Sequence, residues 1–139
     1  MKREIKFRGK NDYGKWEYGD LIQYENGNKA IVSKKFTKYG YEATELYKRT
    51  KVLSDSVGQF TGMQDKKKVD IYDKDIIRVN NGKTQFNVIV KWSDDACAFM
   101  VCFCDKNQAP LSWFSNLLSE THEIEIIGNI FDNPELMEK

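Results

Sequence analysis

QFTGMQDKKKVDIYDKDIIRV, Gln59 to Val79, decides how the fold is read. Two short apolar runs are separated by glycine and charge before a strand entry at Ile76 to Val79. Gly58 and Gly62 bracket Gln59-Phe60-Thr61, and Asp65-Lys66-Lys67-Lys68 reads as a charged turn. The stretch carries the signals of a joint, routing the chain from an amino-terminal β unit into a strand that begins near Asp75. It contains no recognisable catalytic logic.

On the amino-terminal side, Glu4 to Arg8 alternates Ile5 and Phe7 with charge, the period of a half-buried strand. Gly9 to Gly14 reads as a turn, and Trp16, Tyr18, Leu21 and Ile22 restart a strand. Asn26-Gly27 accepts positive φ and favours a tight hairpin with Ala30-Ile31-Val32 as the return. From Ser33 to Lys51 the pattern blurs, and a short helix is expected near Glu42 to Tyr47.

On the carboxyl side, Asn80-Asn81-Gly82 is a second Asn-Gly turn, followed by a β-branched strand over Phe86 to Trp92. Asp94-Asp95 turns the chain into Ala96 to Cys104, apolar almost throughout, as a strand covered on both faces would be; nine residues could also pass for a buried helix, but the position between turns and the Val, Phe and Cys content favour the strand. A short amphipathic helix is expected over Trp113 to Leu118, capped at Pro110 to Ser112, then another strand over Glu123 to Ile127 and a helical turn at Asn133 to Leu136. The segment from Gly19 to Gly27 aligns without a gap on that from Lys74 to Gly82, so two similar hairpins are expected, one in each of two β subdomains.

A chain of 139 residues fits one domain, or a compact pair of subdomains, and can bury about 70% of its unfolded surface. With 22 Lys and Arg against 21 Asp and Glu, no global field draws it toward nucleic acid or an anionic membrane, so a polyanion site would be a local patch. No window approaches the roughly 18 apolar residues of a membrane span, the start lacks a signal-peptide run, and the expectation is a cytoplasmic protein. Cys97, Cys102 and Cys104 read as small core hydrophobes of a reducing compartment.

Arg3 to Arg8, Val57 to Lys66, Ile71 to Ile77 and Ile126 to Leu136, in this order along the chain, carry a resemblance to the YopX family of phage and prophage proteins. Where relatives usually show Glu-Gly-Asp, this chain has Asp73-Lys74-Asp75, which puts a lysine where glycine would permit a positive-φ turn. The resemblance implies an all-β fold of mainly antiparallel short strands, with a barrel-like core and one or two short helices. It also implies a phage-borne gene and a bacterial host cytoplasm, but no known activity. The organisation expected is a single domain over 1–139, divisible into a β unit at 1–57 and a barrel-like β unit at 58–139.

Asp70, Asp73, Asp75, Asp94 and Asp95 could in principle gather a divalent cation, but all sit at expected turns or strand ends, where side-chain acceptors stabilise local backbone. His122, the lone histidine, lacks a nucleophile motif around it and reads as a solvated loop residue. Cys102 and Cys104 offer too few ligands for a structural zinc site. No catalytic, cofactor or metal residues are therefore assigned, and a non-enzymatic role is expected.

The site hypothesis with chemical content is polyanion binding by Lys34, Lys35, Lys38, Lys48, Arg49, Lys51, Lys66, Lys67 and Lys68, with Tyr39, Tyr41 and Tyr47 interleaved. Cations neutralise phosphates and aromatic rings stack on bases. The competing reading, ranked first, is an interaction or assembly protein. Its open strand edges and exposed Trp16, Tyr18, Trp92 and Trp113 would make a homo-oligomer or take a phage or host protein.

Overall fold

A computed structural model describes residues 4–39, 42–104, 107–114 and 122–137. The chain divides into two compact units, Met1–Phe60 and Thr61–Lys139. Among the described residues the regular structure is mostly antiparallel strand, arranged in two sheets.

The first unit is built on β1 (Phe7–Lys10), β2 (Trp16–Gln23), β3 (Lys29–Tyr39) and β4 (Glu42–Val52), each paired with the next. On its other side β1 pairs with Gly58 and Gln59 at the start of β5 (Gly58–Gln64). The sheet is dense at one end, where Ala30, Ile31 and Val52 are buried. Gly19 must be glycine, because a Cβ there would collide with the carbonyl oxygen of Val32 as β3 passes. The guanidinium of Arg8, itself buried, lies 4.8 Å from the Trp16 ring centroid, a cation–π contact that offsets part of its desolvation.

Over Glu42 to Tyr47 the structure replaces the expected helix with strand. The ladder between β3 and β4 is continuous from Lys29↔Val52 to Tyr39↔Glu42. β2 accompanies β3 only from Lys29 to Val32. Beyond that point, the seven pairs from Ser33↔Lys48 to Tyr39↔Glu42 form a two-stranded ribbon with no third strand among the described residues.

The second unit carries the remainder of β5, β6 (Asp70–Tyr72), β7 (Asp75–Asn80), β8 (Gln85–Ser93), β9 (Ala98–Phe103), β10 (Gln108–Pro110) and β11 (Glu123–Asn129). Five of these form a sheet in the order β10-β9-β8-β7-β11. Ile71, Ile77, Val79, Val88, Val90, Val101, Phe114 and Ile124 are fully buried in one core, with Phe99 nearly so. Phe86, Phe103 and Trp113 pack on that core as a ring cluster, with Trp113 edge-on to Phe103 at 5.2 Å. The continuous apolar run is strand β9, but it is buried mainly on one face: Phe99 and Val101 are buried, and Ala98, Met100 and Cys102 on the other are only partly covered.

No barrel closes. The five-stranded sheet ends at β10 on one side and β11 on the other, and the first unit ends at β4. The apolar faces are therefore covered by packing, not by strand closure. The helix expected from Trp113 is seen only as a helical turn at Trp113 and Phe114, and residues 115–121 lie outside the described set. The terminal turn is a 3-10 helix at Pro134–Met137.

Both Asn-Gly hairpins form. Gly27 has φ +89° and Gly82 φ +87°. In each turn an asparagine oxygen accepts nearby backbone N–H groups: Asn26 from Asn28 at 3.0 Å, and Asn81 from Lys83 and Thr84 at 2.9 and 2.7 Å. The turn at Asp73-Lys74-Asp75 keeps a left-handed residue although it has lost the glycine, since Lys74 has φ +78°. Three hydrogen bonds hold it there: Lys74 N–H donates to the Val90 carbonyl at 2.7 Å, Ile130 N–H donates to the Lys74 carbonyl at 2.9 Å, and Tyr72 N–H donates to Asp75 Oδ2 at 2.7 Å. A β-branched side chain tolerates this region poorly. Lys74→Val is accordingly expected to lower unfolding free energy by about 1 kcal/mol or more, and Lys74→Gly to leave it unchanged or raised, as measured by urea denaturation.

Candidate functional site

The basic residues singled out in the sequence fall into two groups with different environments. The first lies on the β3–β4 hairpin. Residues 29–52 hold seven Lys and Arg against Glu42 and Glu45, so this element carries a formal +5 in a chain whose total is +1. Lys48, Arg49 and Lys51 are exposed along β4, and Tyr47 is 60% exposed. Lys34 pairs with Asp20 at 3.2 Å. Lys35, Lys38 and Tyr39 stand on the ribbon opposite Leu46, Ala43 and Glu42; their side chains, and Tyr41 altogether, lie outside the described set.

Register brings together what sequence spacing could not. Ala30 stands opposite Lys51 on one side and Ile22 on the other, and Val32 stands opposite Arg49. Arg49 and Lys51, two apart on β4, share one face of the sheet. Where that face meets the Tyr24 to Asn28 turn there is an open depression of about 400 Å³, lined by Tyr24, Asn26, Asn28, Lys29, Ala30, Arg49 and Lys51. Tyr24, Asn26, Asn28 and Lys29 were absent from the sequence-derived set. Their signal was the Asn-Gly turn itself, which with the hairpin register puts them beside the end of β4.

The second group, Lys66 to Lys68, has a structural task. Asp65 is 5% exposed, and its Oδ1 accepts the N–H groups of Lys67 at 2.9 Å and Val69 at 3.0 Å, closing the turn. Its Oδ2 accepts Ile126 N–H of β11 at 3.1 Å, and Lys66 N–H donates to the Ile124 carbonyl at 3.0 Å. The side chains follow: Lys66 Nζ lies 3.1 Å from Glu123 and 3.2 Å from Glu125, and Lys67 Nζ 3.1 Å from Glu125. This part of the charged turn is a clasp on the outer edge of β11.

The remaining candidates are local fittings. Asp73 Oδ1 accepts Trp92 N–H at 3.0 Å, Asp94 accepts the Trp92 indole N–H at 3.0 Å, and Asp70 accepts from Gln64 at 3.0 Å. Among the described residues, no three His, Cys, Asp or Glu side chains gather around a common point. His122 lies in a loop as expected but is half-buried and not freely solvated, with a buried Nδ1 that makes no hydrogen bond among the described residues. Cys97 and Cys104 are exposed at strand ends, which corrects their reading as core, while burial pushes the half-buried Cys102 thiol up. Of the aromatics expected at the surface, Tyr18 and Trp92 are about half exposed; Trp16 and Trp113 are partly covered.

A family model described as YopX protein matches residues 6–138. The fold is similar to that of protein EF1440 from Enterococcus faecalis, with a TM-score of 0.62 and 21% identity over 99% of this chain and 100% of that one. It is also similar to protein yopX from Bacillus subtilis, with a TM-score of 0.55 and 21% identity over 99% and 100%. At this identity the likeness is one of fold. No curated protein matches the chain.

The clasp has a pH signature. Hydrogen bonds from Lys67 and Lys66 hold the Glu125 carboxyl below its ordinary value, and those to Glu123 and Glu125 raise Lys66. The Glu125 contribution is thus present above the ordinary carboxylate range and lost as pH falls through its lowered value; the Lys66 contribution is lost only in strong alkali. The Tm deficit of Glu125→Gln at pH 7 should be small, shrink with added salt, and fade as the pH is lowered through the depressed carboxyl value, by scanning calorimetry.

Proposed function

Because the chain belongs to the YopX family, and that membership brings no established activity, we propose from its own surfaces that it is a non-enzymatic interaction protein that assembles through the outer edge of β4. One observation carries this reading. Of the sheet edges among the described residues, that of β11 is clasped by Asp65 and Lys66, β6 and β10 are only three residues long each, and β10 ends in Pro110. β4 is eleven residues long, and among the described residues its outer edge is met only by the bridge from Asn11 to Val52.

An unpaired strand edge is a template for another strand. The sequence of β4 runs from Glu42 and Glu45 to Lys48, Arg49 and Lys51, so antiparallel addition of a second copy would bring opposite charges together. Such pairing is isologous and closes as a two-fold dimer. A two-stranded ribbon is marginal by itself in water, and a third strand would stabilise it. The family resemblance supports placing this assembly in a bacterial cytoplasm and its gene in a phage or prophage.

The +5 charge of the same hairpin favours a second reading, in which the ribbon binds single-stranded nucleic acid. That reading requires affinity for a mixed-sequence oligonucleotide to fall steeply with salt.

Light scattering tests the first reading. The full chain should show a mass rising to that of a dimer with concentration. Replacing residues 35–46 by Asn-Gly, which keeps Lys34 opposite Tyr47, should return it to a monomer with the remaining strands intact. A full-length chain that stays monomeric at high concentration would defeat the assembly reading.

A further inference from the structure

We propose that the depression at the Tyr24 to Asn28 turn is a binding site for a nucleotide phosphate, either of a free mononucleotide or of one residue in a strand. The inference does not depend on how β4 assembles.

Charge comes first. Lys29, Arg49 and Lys51 all line the depression, and among the described residues no carboxylate does. Among the described residues, no salt bridge engages any of the three, whereas Lys34, Lys66 and Lys67 each have a carboxylate partner. Arg49 and Lys51, two apart on one face of β4 without a counter-charge among the described residues, repel one another, and an anion relieves that repulsion. Arg49 can present its planar donor fork to two phosphate oxygens, with Lys51 on the same face as a point charge.

Shape comes second. Ala30, 3% exposed, is the floor of the depression between Ile22 and Lys51, and its single methyl leaves the volume open. At about 400 Å³ the space falls within the range of small-molecule sites. The rim is held in place before any ligand arrives. Tyr24 N–H donates to the Asn28 carbonyl at 2.9 Å, Gly27 N–H to the Tyr24 carbonyl at 3.0 Å, and Ser54 Oγ to the Gly27 carbonyl at 2.9 Å.

Recognition of a base would come from Tyr24, which is 40% exposed at the rim and offers a ring for stacking. The amides of Asn26 and Asn28 can donate to phosphate or ribose oxygens. A free phosphate would use only the cations, so the tyrosine separates nucleotide binding from simple anion binding.

The test is calorimetric titration of the full chain at low salt with adenosine 5′-monophosphate, inorganic phosphate and an eight-residue oligo(dT). Saturable binding of the mononucleotide, tighter than that of phosphate, is expected. Arg49→Gln with Lys51→Gln should weaken it by about tenfold or more, while Lys48→Gln, a cation on the same strand that does not line the depression, should change it less than about twofold. Tyr24→Leu should abolish the preference over phosphate. Binding of the oligonucleotide alone, with the same dependence on Arg49 and Lys51, assigns the phosphate to a strand. The proposal is overturned if neither nucleotide probe binds saturably, or if Lys48→Gln costs as much as the Arg49 and Lys51 changes. Thermal midpoints of all variants establish that each is folded.

Discussion

The carboxylate of Asp65 is the contact on which the organisation of the second unit depends. A buried acid is costly unless its oxygens are satisfied, and this one accepts three backbone N–H groups, two from its own turn and one from Ile126 of β11. One side chain thereby sets the turn that leads into β6 and β7 and fixes the strand that closes the far side of the five-stranded sheet. Lys66 and Lys67 add their ion pairs outside this buried centre, where water screens them.

That arrangement bears on function through the management of edges. A sheet protein must leave some strand edges unpaired, and each is either blunted or used. Among the described residues the clasp occupies the edge of β11, and β6 and β10, three residues each, are too short to act as templates. What remains is the β3–β4 hairpin, which also holds the concentrated positive charge and the lined depression at its base. The stretch with the densest sequence signals is a joint; the surfaces suited to binding lie on a stretch where the signals blur.

Much of the fold was legible because its local chemistry is strong. Asn26-Gly27 and Asn81-Gly82 specify tight turns by what glycine and asparagine can do, and the position of the β9 run between turns, with its Val, Phe and Cys content, favours strand over buried helix. β4 was harder to read, since Tyr47, Lys48 and Arg49 are all exposed and no period appears without a buried face. Lys66 and Lys67 read as a basic patch because the partners that neutralise them stand in β11, 57 residues from Lys66 in the case of Glu123. The depression was hidden for the same reason: only the register of β3 against β4 places Arg49 and Lys51 beside Tyr24. Lys74 shows the reverse case, a turn whose glycine is missing but whose hydrogen bonds impose the same backbone.

Amide hydrogen exchange on Asp65→Ala against the natural chain tests the clasp most directly. Removing the carboxylate strands three N–H groups, and a loss of about 3 kcal/mol of local stability is expected from the unsatisfied donors alone. Peptides covering residues 65–72 and 123–129 should lose protection together. Unchanged protection in either segment would contradict the account, because it would mean that the turn and β11 are held by something other than Asp65.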